Sequence, residues 1–314
     1  MAAAIIPATY IQEEPTDPIT IDLDMHGFPG ITGAFVVRGE RVALIETGPK
    51  SCLDHLLTGL AGAGIDRVDF VVVTHIHLDH AGAAGTLAAR WPDAQVVVHP
   101  VGAPHLVDPS KLWSSASRIY GDAMETLWGG IDPVPADRIV EVADGDSIDL
   151  GGATLRVIET PGHARHHHAY LDESSGTLFS GDALGVRLPG VGVIRPATPP
   201  PEFDLEAAIA SIGKIRDAAP ERLCFTHFGL AAGEGPAETC DAAADALVEW
   251  AGWIRAARES STDVDEVAAV VRRESLAAYG ASLDDDSIAR LEQTTSYRMN
   301  TWGYMRYLDK LERS

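Results

Sequence analysis

The chain has 314 residues, 46% hydrophobic and 22% charged, with 24 basic against 46 acidic side chains and a formal net charge of −22. That length suits about two domains, or one large α/β unit with an appendage, and it supports a sizeable core without disulfides. A field of that sign repels phosphate backbones and argues against nucleic acid as a partner.

In chain order, residues 31–38 and 42–46 read as a hairpin across Gly39-Glu40. A helix is expected over 53–63, a buried strand over 69–74 and a helix over 81–90, then a strand over 95–99. Residues 111–127 read as an amphipathic helix with Leu112, Ala116, Ile119, Ala123 and Leu127 on one face. Strands follow at 139–142, 153–159, 168–172 and 177–180. A helix over 205–217 precedes a strand over 222–226. After Gly229 the texture becomes entirely helical. Cys240, Ala243, Leu247, Trp250 and Ile254 have the spacing of a buried helix face, as do Val264, Val267, Ala268 and Val271 in the next helix. Residues 287–311 read as one further helix. The Gly/Pro-rich AAGEGP stretch sets a boundary between residues 1–232 and a helical extension, 233–314.

Cys52, Cys224 and Cys240 form no CxxC pair, so neither a zinc finger nor a disulfide framework is indicated. Met1–Pro7 lacks the basic start of a secretory signal, and no apolar run approaches the roughly 20 residues of a membrane span. The expectation is a cytoplasmic protein with reduced thiols and no membrane partner.

Thr74-His75-Ile76-His77-Leu78-Asp79-His80 follows an apolar strand directly. On an extended chain residues two apart point the same way, so His75 and His77 converge. Four potential ligands packed this closely need something that neutralises Asp79 and uses the imidazoles, and a divalent metal does both. Three further strands each end in one ligand-type residue beside small neighbours: His163 in Thr160-Pro161-Gly162-His163, Asp182 in Gly181-Asp182, and His227. Seven ligands exceed one tetrahedral zinc and suit a pair of metals about 3.5–4 Å apart.

This set resembles the metallo-β-lactamase superfamily, in the branch of glyoxalase II-like hydrolases and lactonases, over about residues 19–230. The resemblance implies an αββα sandwich of two mixed sheets flanked by helices, here with the C-terminal all-helical extension. It implies His75, His77 and His163 on one metal, Asp79, His80 and His227 on the other, and Asp182 bridging. The implied activity is cleavage of a thioester, lactone or other activated ester by a metal-bound hydroxide, with Asp79 orienting the nucleophile. Zinc is the first choice of metal, with iron and manganese as alternatives. The substrate is a small molecule, and a homodimer is left open. The superfamily's true β-lactamases usually carry cysteine at the position of Asp182 and lack the histidine matching His80, which argues against β-lactam hydrolysis. Where relatives often have Asp-x-Gly after the second strand, this chain has Glu46-Thr47-Gly48. His167 falls where relatives carry a histidine that supports the metal ligands.

Three rivals stand beside this reading. Iron on the same scaffold would support oxygen or persulfide redox chemistry, although the flavin-partnered diiron relatives replace the histidine matching His77 with Glu. Phosphodiester cleavage is disfavoured by the acidic surface. A non-catalytic sensor is disfavoured by the complete ligand set. His166 and His168 read as packing or solvent residues, and His26, His55, His99 and His105 as structural. Arg187 and Arg195 are candidates to clamp a substrate carboxylate, against an ordinary surface role. Trp113, Tyr120 and Trp128 wall a pocket or simply pack. Core packing of the last helix is the default use of Tyr297, Trp302, Tyr304 and Tyr307, against capping a site or a dimer interface; Tyr297, Arg298, Trp302 and Tyr304 are the candidates by which the C-terminal helices would reach substrate.

Overall fold

The computed structural model describes residues 10–11, 18–280 and 283–313; Met1–Pro7 lies outside the described residues. The strands are β1 (Tyr10–Ile11), β2 (Ile19–Asp22), β3 (Gly33–Arg38), β4 (Val42–Ile45), β5 (Phe70–Val72), β6 (Gln95–Val98), β7 (Ile139–Glu141), β8 (Ser147–Asp149), β9 (Thr154–Glu159), β10 (His168–Asp172), β11 (Thr177–Phe179), β12 (Arg222–Phe225) and β13 (Gly229–Leu230). The helices are α1 (Leu53–Gly62), α2 (Leu78–Ala81), α3 (Ala84–Arg90), α4 (Ala103–Val107), α5 (Ser110–Tyr120), α6 (Met124–Trp128), α7 (Leu205–Asp217), α8 (Pro236–Arg258), α9 (Val264–Tyr279), α10 (Asp285–Thr294) and α11 (Tyr297–Leu311). The class is α/β as expected, with two mixed sheets, helices and a helical C-terminal region. No described helix is long and apolar enough to cross a membrane.

The chain divides into two compact units, Met1–Val157 with Asp172–Ser175, and Ile158–Leu171 with Gly176–Ser314. The change of texture near 232–236 falls inside the second of these.

The first unit holds a seven-stranded sheet in chain order, β1 to β7. β2, β3 and β4 pair antiparallel, whereas β4, β5, β6 and β7 run parallel. Phe70, Val71 and Val72 are all buried, which is why β5 reads as an unbroken apolar run rather than an alternating one. Parallel register pairs Ile45 with Val72 and Val72 with Val97. The C-terminal ends of these strands therefore line up, and the Glu46 N–H donates to the Val72 carbonyl at 2.9 Å.

The second sheet is ordered β13-β12-β11-β10-β9-β8. In the second unit β11 and β12 are parallel, with Phe179 opposite Cys224. That register brings the residues following each strand, Ser180–Asp182 and Thr226–His227, to one end. The core of this unit includes Cys240, Ala243, Leu247, Trp250 and Ile254 of α8, the face its spacing predicts. Val267 and Val271 of α9 and Tyr304 of α11 share that core.

Two expected helices are each broken. The one over 111–127 ends at Tyr120, because Gly121 takes φ 53° and ψ −129°; a short 3₁₀ turn then leads into α6. The one over 287–311 splits at Thr295, which is extended at φ −144° and ψ 100°. Ser296 restarts it by accepting the Met299 N–H at 3.0 Å. A β-branched residue followed by a good N-cap residue is a local stop-and-start signal that the apolar spacing concealed.

Candidate metal centre

β5 delivers the first ligand set. Beyond its end the chain bends at Thr74, His75 and His77, and α2 then carries Asp79 and His80. His75 and His80 are fully buried, and His77 and Asp79 partly so. His75 Nε2 lies 2.9 Å from His77 Nδ1, and the His75 and His80 ring centroids are 4.0 Å apart. The ligand atoms of His75 with His77, His75 with His80, and Asp79 with His80 all fall within 4.8 Å of one another. His75 and His77 lie together, and the turn at Asp79-His80 is a turn of helix that brings His80 against His75 rather than aiming it elsewhere.

Glu46 sits beneath this set, fully buried and in the left-handed region at φ 66°. Its carboxylate accepts from the Thr74 hydroxyl at 2.6 Å and the Thr74 N–H at 3.2 Å, and lies 2.9 Å from His80 Nδ1. A carboxylate only accepts, so His80 Nδ1 carries the proton and Nε2 is left as a lone pair. Thr74 Oγ1, already donating to Glu46, accepts from His75 Nδ1 at 3.0 Å. His75 is thereby set to the same tautomer. One buried acid orients two imidazoles, so the longer Glu does reach from the Glu46-Thr47-Gly48 position. Thr47 steadies α2: its N–H and hydroxyl both donate to the His80 carbonyl, at 2.8 and 3.0 Å.

The second unit delivers the other set. Asp182 Oδ2 lies 3.6 Å from His163 Nε2, and its Oδ1 lies 3.6 Å from His227 Nε2. All three are buried. Gly162, before His163, takes φ 140°, and a Cβ there would stand 2.4 Å from the Ala208 backbone of α7. Only glycine lets the loop lie this close to the helix. His163 Nδ1 donates to the Ala197 carbonyl at 2.9 Å, so in the neutral ring Nε2 carries the lone pair and faces a carboxylate oxygen. The same juxtaposition recurs in the first unit, where His80 Nε2 is 3.7 Å from Asp79 Oδ2. Acceptor facing acceptor, in imidazole and carboxylate pairs, fits a donor set for a divalent cation of zinc's type.

His167 is excluded as a ligand by its partners. Its Nε2 accepts the Asp182 N–H at 3.0 Å and its Nδ1 donates to Thr160 Oγ1 at 2.7 Å. Nε2 is spent on the Asp182 backbone and Nδ1 on the Thr160 hydroxyl. His166 lies 3.7 Å from Glu202, and His168 packs edge-on to Tyr170. His26 packs edge-on to Trp128, His55 lies 3.8 Å from Asp24, and His99 accepts the Val101 N–H.

Arg195 does not point to a substrate clamp. It is 3% exposed, pairs with Glu292 at 2.7 Å, donates to the Thr295 carbonyl and lies over the Tyr297 ring. Arg187 donates to the Ala232 carbonyl at 2.9 Å. Trp128 is buried in a small cluster with Leu78 and Met124, and Trp113 and Tyr120 pack against it. Burial, and secondarily the Asp79 charge, push the Tyr120 hydroxyl well above its ordinary range. Tyr297 and Tyr304 belong to the core and not to a pocket wall: Tyr297 stacks on Trp250, and the Tyr304 hydroxyl donates to the Leu247 carbonyl at 2.6 Å. Trp302 is half-buried, with the Arg298 guanidinium 5.8 Å from its ring. The roles of Thr74 and of the Ala197 carbonyl were not foreseen, the latter because a main-chain acceptor carries no residue signature.

The family model of the metallo-beta-lactamase superfamily matches residues 27–227. The metallo-beta-lactamase fold-containing protein ST1585 of Sulfurisphaera tokodaii is 31% identical over 208 residues, 65% of this chain and 75% of that protein. The crystal structure of ST1585 from Sulfolobus tokodaii aligns with a TM-score of 0.62 at 25% identity, covering 88% of this chain and 93% of that one. The coenzyme F420H(2) oxidase of Methanothermobacter marburgensis is 29% identical over 180 residues, 54% of this chain but only 39% of the oxidase. The hydroxyacylglutathione hydrolase of Aeromonas hydrophila is 31% identical over 118 residues, 38% of this chain and 34% of that enzyme. With more than half of its length matched, and with the ordered histidines and aspartates in place, the chain belongs to the metallo-beta-lactamase superfamily.

Proposed function

We propose that the protein is a dinuclear metal hydrolase of the glyoxalase II-like and lactonase-like branch, acting on a small thioester, lactone or activated ester. His75, His77 and His163 would hold one divalent metal, Asp79, His80 and His227 the other, and Asp182 would bridge. The observation that carries this reading is Asp182 itself, whose two oxygens each lie 3.6 Å from the Nε2 of a different histidine. A carboxylate so shared is the device by which two cations are held at one centre. Metals bound there supply Lewis acidity and lower the pKa of water towards about 7.

The chain's own contribution is orientation. Glu46 and Thr74 fix the His75 and His80 tautomers, His167 holds the Asp182 backbone, and Ala197 fixes His163. Asp79, 18% exposed, would be the carboxylate that orients an attacking water and takes its proton. The hydroxyacylglutathione hydrolase relative supports thioester cleavage, and His77 and the net charge of −22 weigh against the redox and phosphodiester alternatives. The test is a panel of thioesters, lactones and phosphodiesters assayed on protein of measured metal content. Turnover of the first two classes, dependent on zinc or manganese, is expected. Oxygen consumption by an iron-loaded form without acyl hydrolysis would favour the oxidase-like chemistry, and phosphodiester turnover alone would also overturn the proposal.

A further inference from the structure

The C-terminal helices reach one proposed metal ligand through the backbone. The carbonyl of Ala197 accepts the Nδ1–H of His163 at 2.9 Å. Both residues flanking Ala197 are held by a single side chain of α11. Asn300 Oδ1 accepts the Thr198 N–H at 2.9 Å, and Asn300 Nδ2 donates to the Pro196 carbonyl at 2.6 Å. The Thr198 hydroxyl returns a bond to the Asn300 carbonyl at 3.2 Å. The Thr295 hydroxyl lies 2.7 Å from Asn300 Oδ1 and 3.2 Å from the Pro196 carbonyl. Asn300, Thr198 and Thr295 are all buried.

The helix backbone itself presses on the same segment. A Cβ at Gly303 would fall 1.7 Å from the Thr198 carbonyl oxygen, so α11 needs glycine there to approach so closely. Arg195 adds an anchor at the segment's start, through Glu292 and Tyr297. A neutral imidazole binds a cation through whichever nitrogen lacks the proton, and the partner of the other nitrogen makes that choice. The place of the Ala197 carbonyl therefore sets both the ring direction and the free nitrogen of His163.

We propose that Asn300 is a positioning residue for metal binding, in which α11, through Asn300 and the close approach at Gly303, holds the carbonyl that presents His163 Nε2 to the metal. This rests on the reading of His163 as a ligand. The helical region then belongs to the metal centre's support.

The test is a double-mutant cycle on the full chain, reading zinc affinity by competition with a chromophoric chelator, alongside thermal melts of the metal-free forms. Asn300→Ala should weaken zinc binding by about 10–100-fold in the otherwise unchanged protein. In a His163→Ala background it should weaken it by less than about threefold, since the two changes share one route. Asn300→Asp keeps the acceptor for Thr198 and loses the donor to Pro196, so an intermediate loss is expected; this variant serves where the alanine form does not fold. A merely structural asparagine would lower the melting temperature with zinc affinity unchanged, or weaken affinity equally in both backgrounds, and either result overturns the proposal. If His163→Ala itself leaves zinc affinity intact, the ligand reading fails and the proposal with it. A large His163→Ala effect beside an inert Asn300→Ala sinks the positioning role alone.

Discussion

Glu46 shows how one buried carboxylate governs several neighbours. It accepts from Thr74 twice and from His80, and through Thr74 it also sets His75. In Glu46→Gln the amide NH2 must face either the Thr74 N–H, or the Thr74 hydroxyl and His80 Nδ1 together, so at least one donor loses its acceptor. Metal affinity should fall about 10–100-fold in chelator competition; an unchanged affinity would detach Glu46 from the centre. Asp182→Ala should cost more metal affinity and activity than His167→Ala, because His167 only braces the Asp182 main chain at 3.0 Å. The reverse ranking would exchange their roles. Tyr120 supplies a control. Burial and then the Asp79 charge raise its hydroxyl above the ordinary value, which favours the protonated form near neutrality. The pH–rate profile of Tyr120→Phe below about pH 9 should therefore match that of the parent. These residue-level roles were only partly legible. His75, His77, Asp79 and His80 announce themselves by type and spacing, whereas the brace made by Ala197 is main-chain and could belong to any residue.

Among the elements, α11 has aromatics that fit either core packing, the default, or a wall of the substrate site. They combine apolar bulk with polar tips, which suits the second use. The structure places Tyr304 at 0% exposure with its hydroxyl on the Leu247 carbonyl and its ring against Phe203. Tyr304→Ala should lose about 3–5 kcal/mol in denaturant melts, as a large core truncation does. Trp302→Ala, on the half-buried side beside Arg298, should lose only about 1 kcal/mol, the scale of an exposed cation–π contact with some lost packing. A stable Tyr304→Ala protein with altered KM would restore the pocket-wall role. Long apolar spacing identified the α8 face correctly, because a single uninterrupted helix is decided by periodicity. The same spacing ran through the breaks at Gly121 and Thr295, where one residue's backbone preference outweighs the repeat. The short strands β2 and β8 went unread because four residues or fewer carry little pattern.

At the scale of the molecule, the α/β class and the sheet-edge origin of the ligands were legible because parallel strands leave their C-terminal ends in line. Ile45 beside Val72 places Glu46 at Thr74, and Phe179 beside Cys224 places Asp182 at His227. The net charge of −22 belongs to this scale too, and it should hold phosphodiester turnover below thioester or lactone turnover at low salt. The central proposal is that His75, His77, Asp79, His80, His163, Asp182 and His227 would together hold two metals. The measurement that tests it most directly is metal content by elemental analysis, on protein stripped of metal, titrated to saturation with zinc and freed of excess. The account predicts two zinc ions per chain, falling towards one or fewer in Asp182→Ala. Saturation at one ion per chain, unchanged by loss of Asp182, would contradict it.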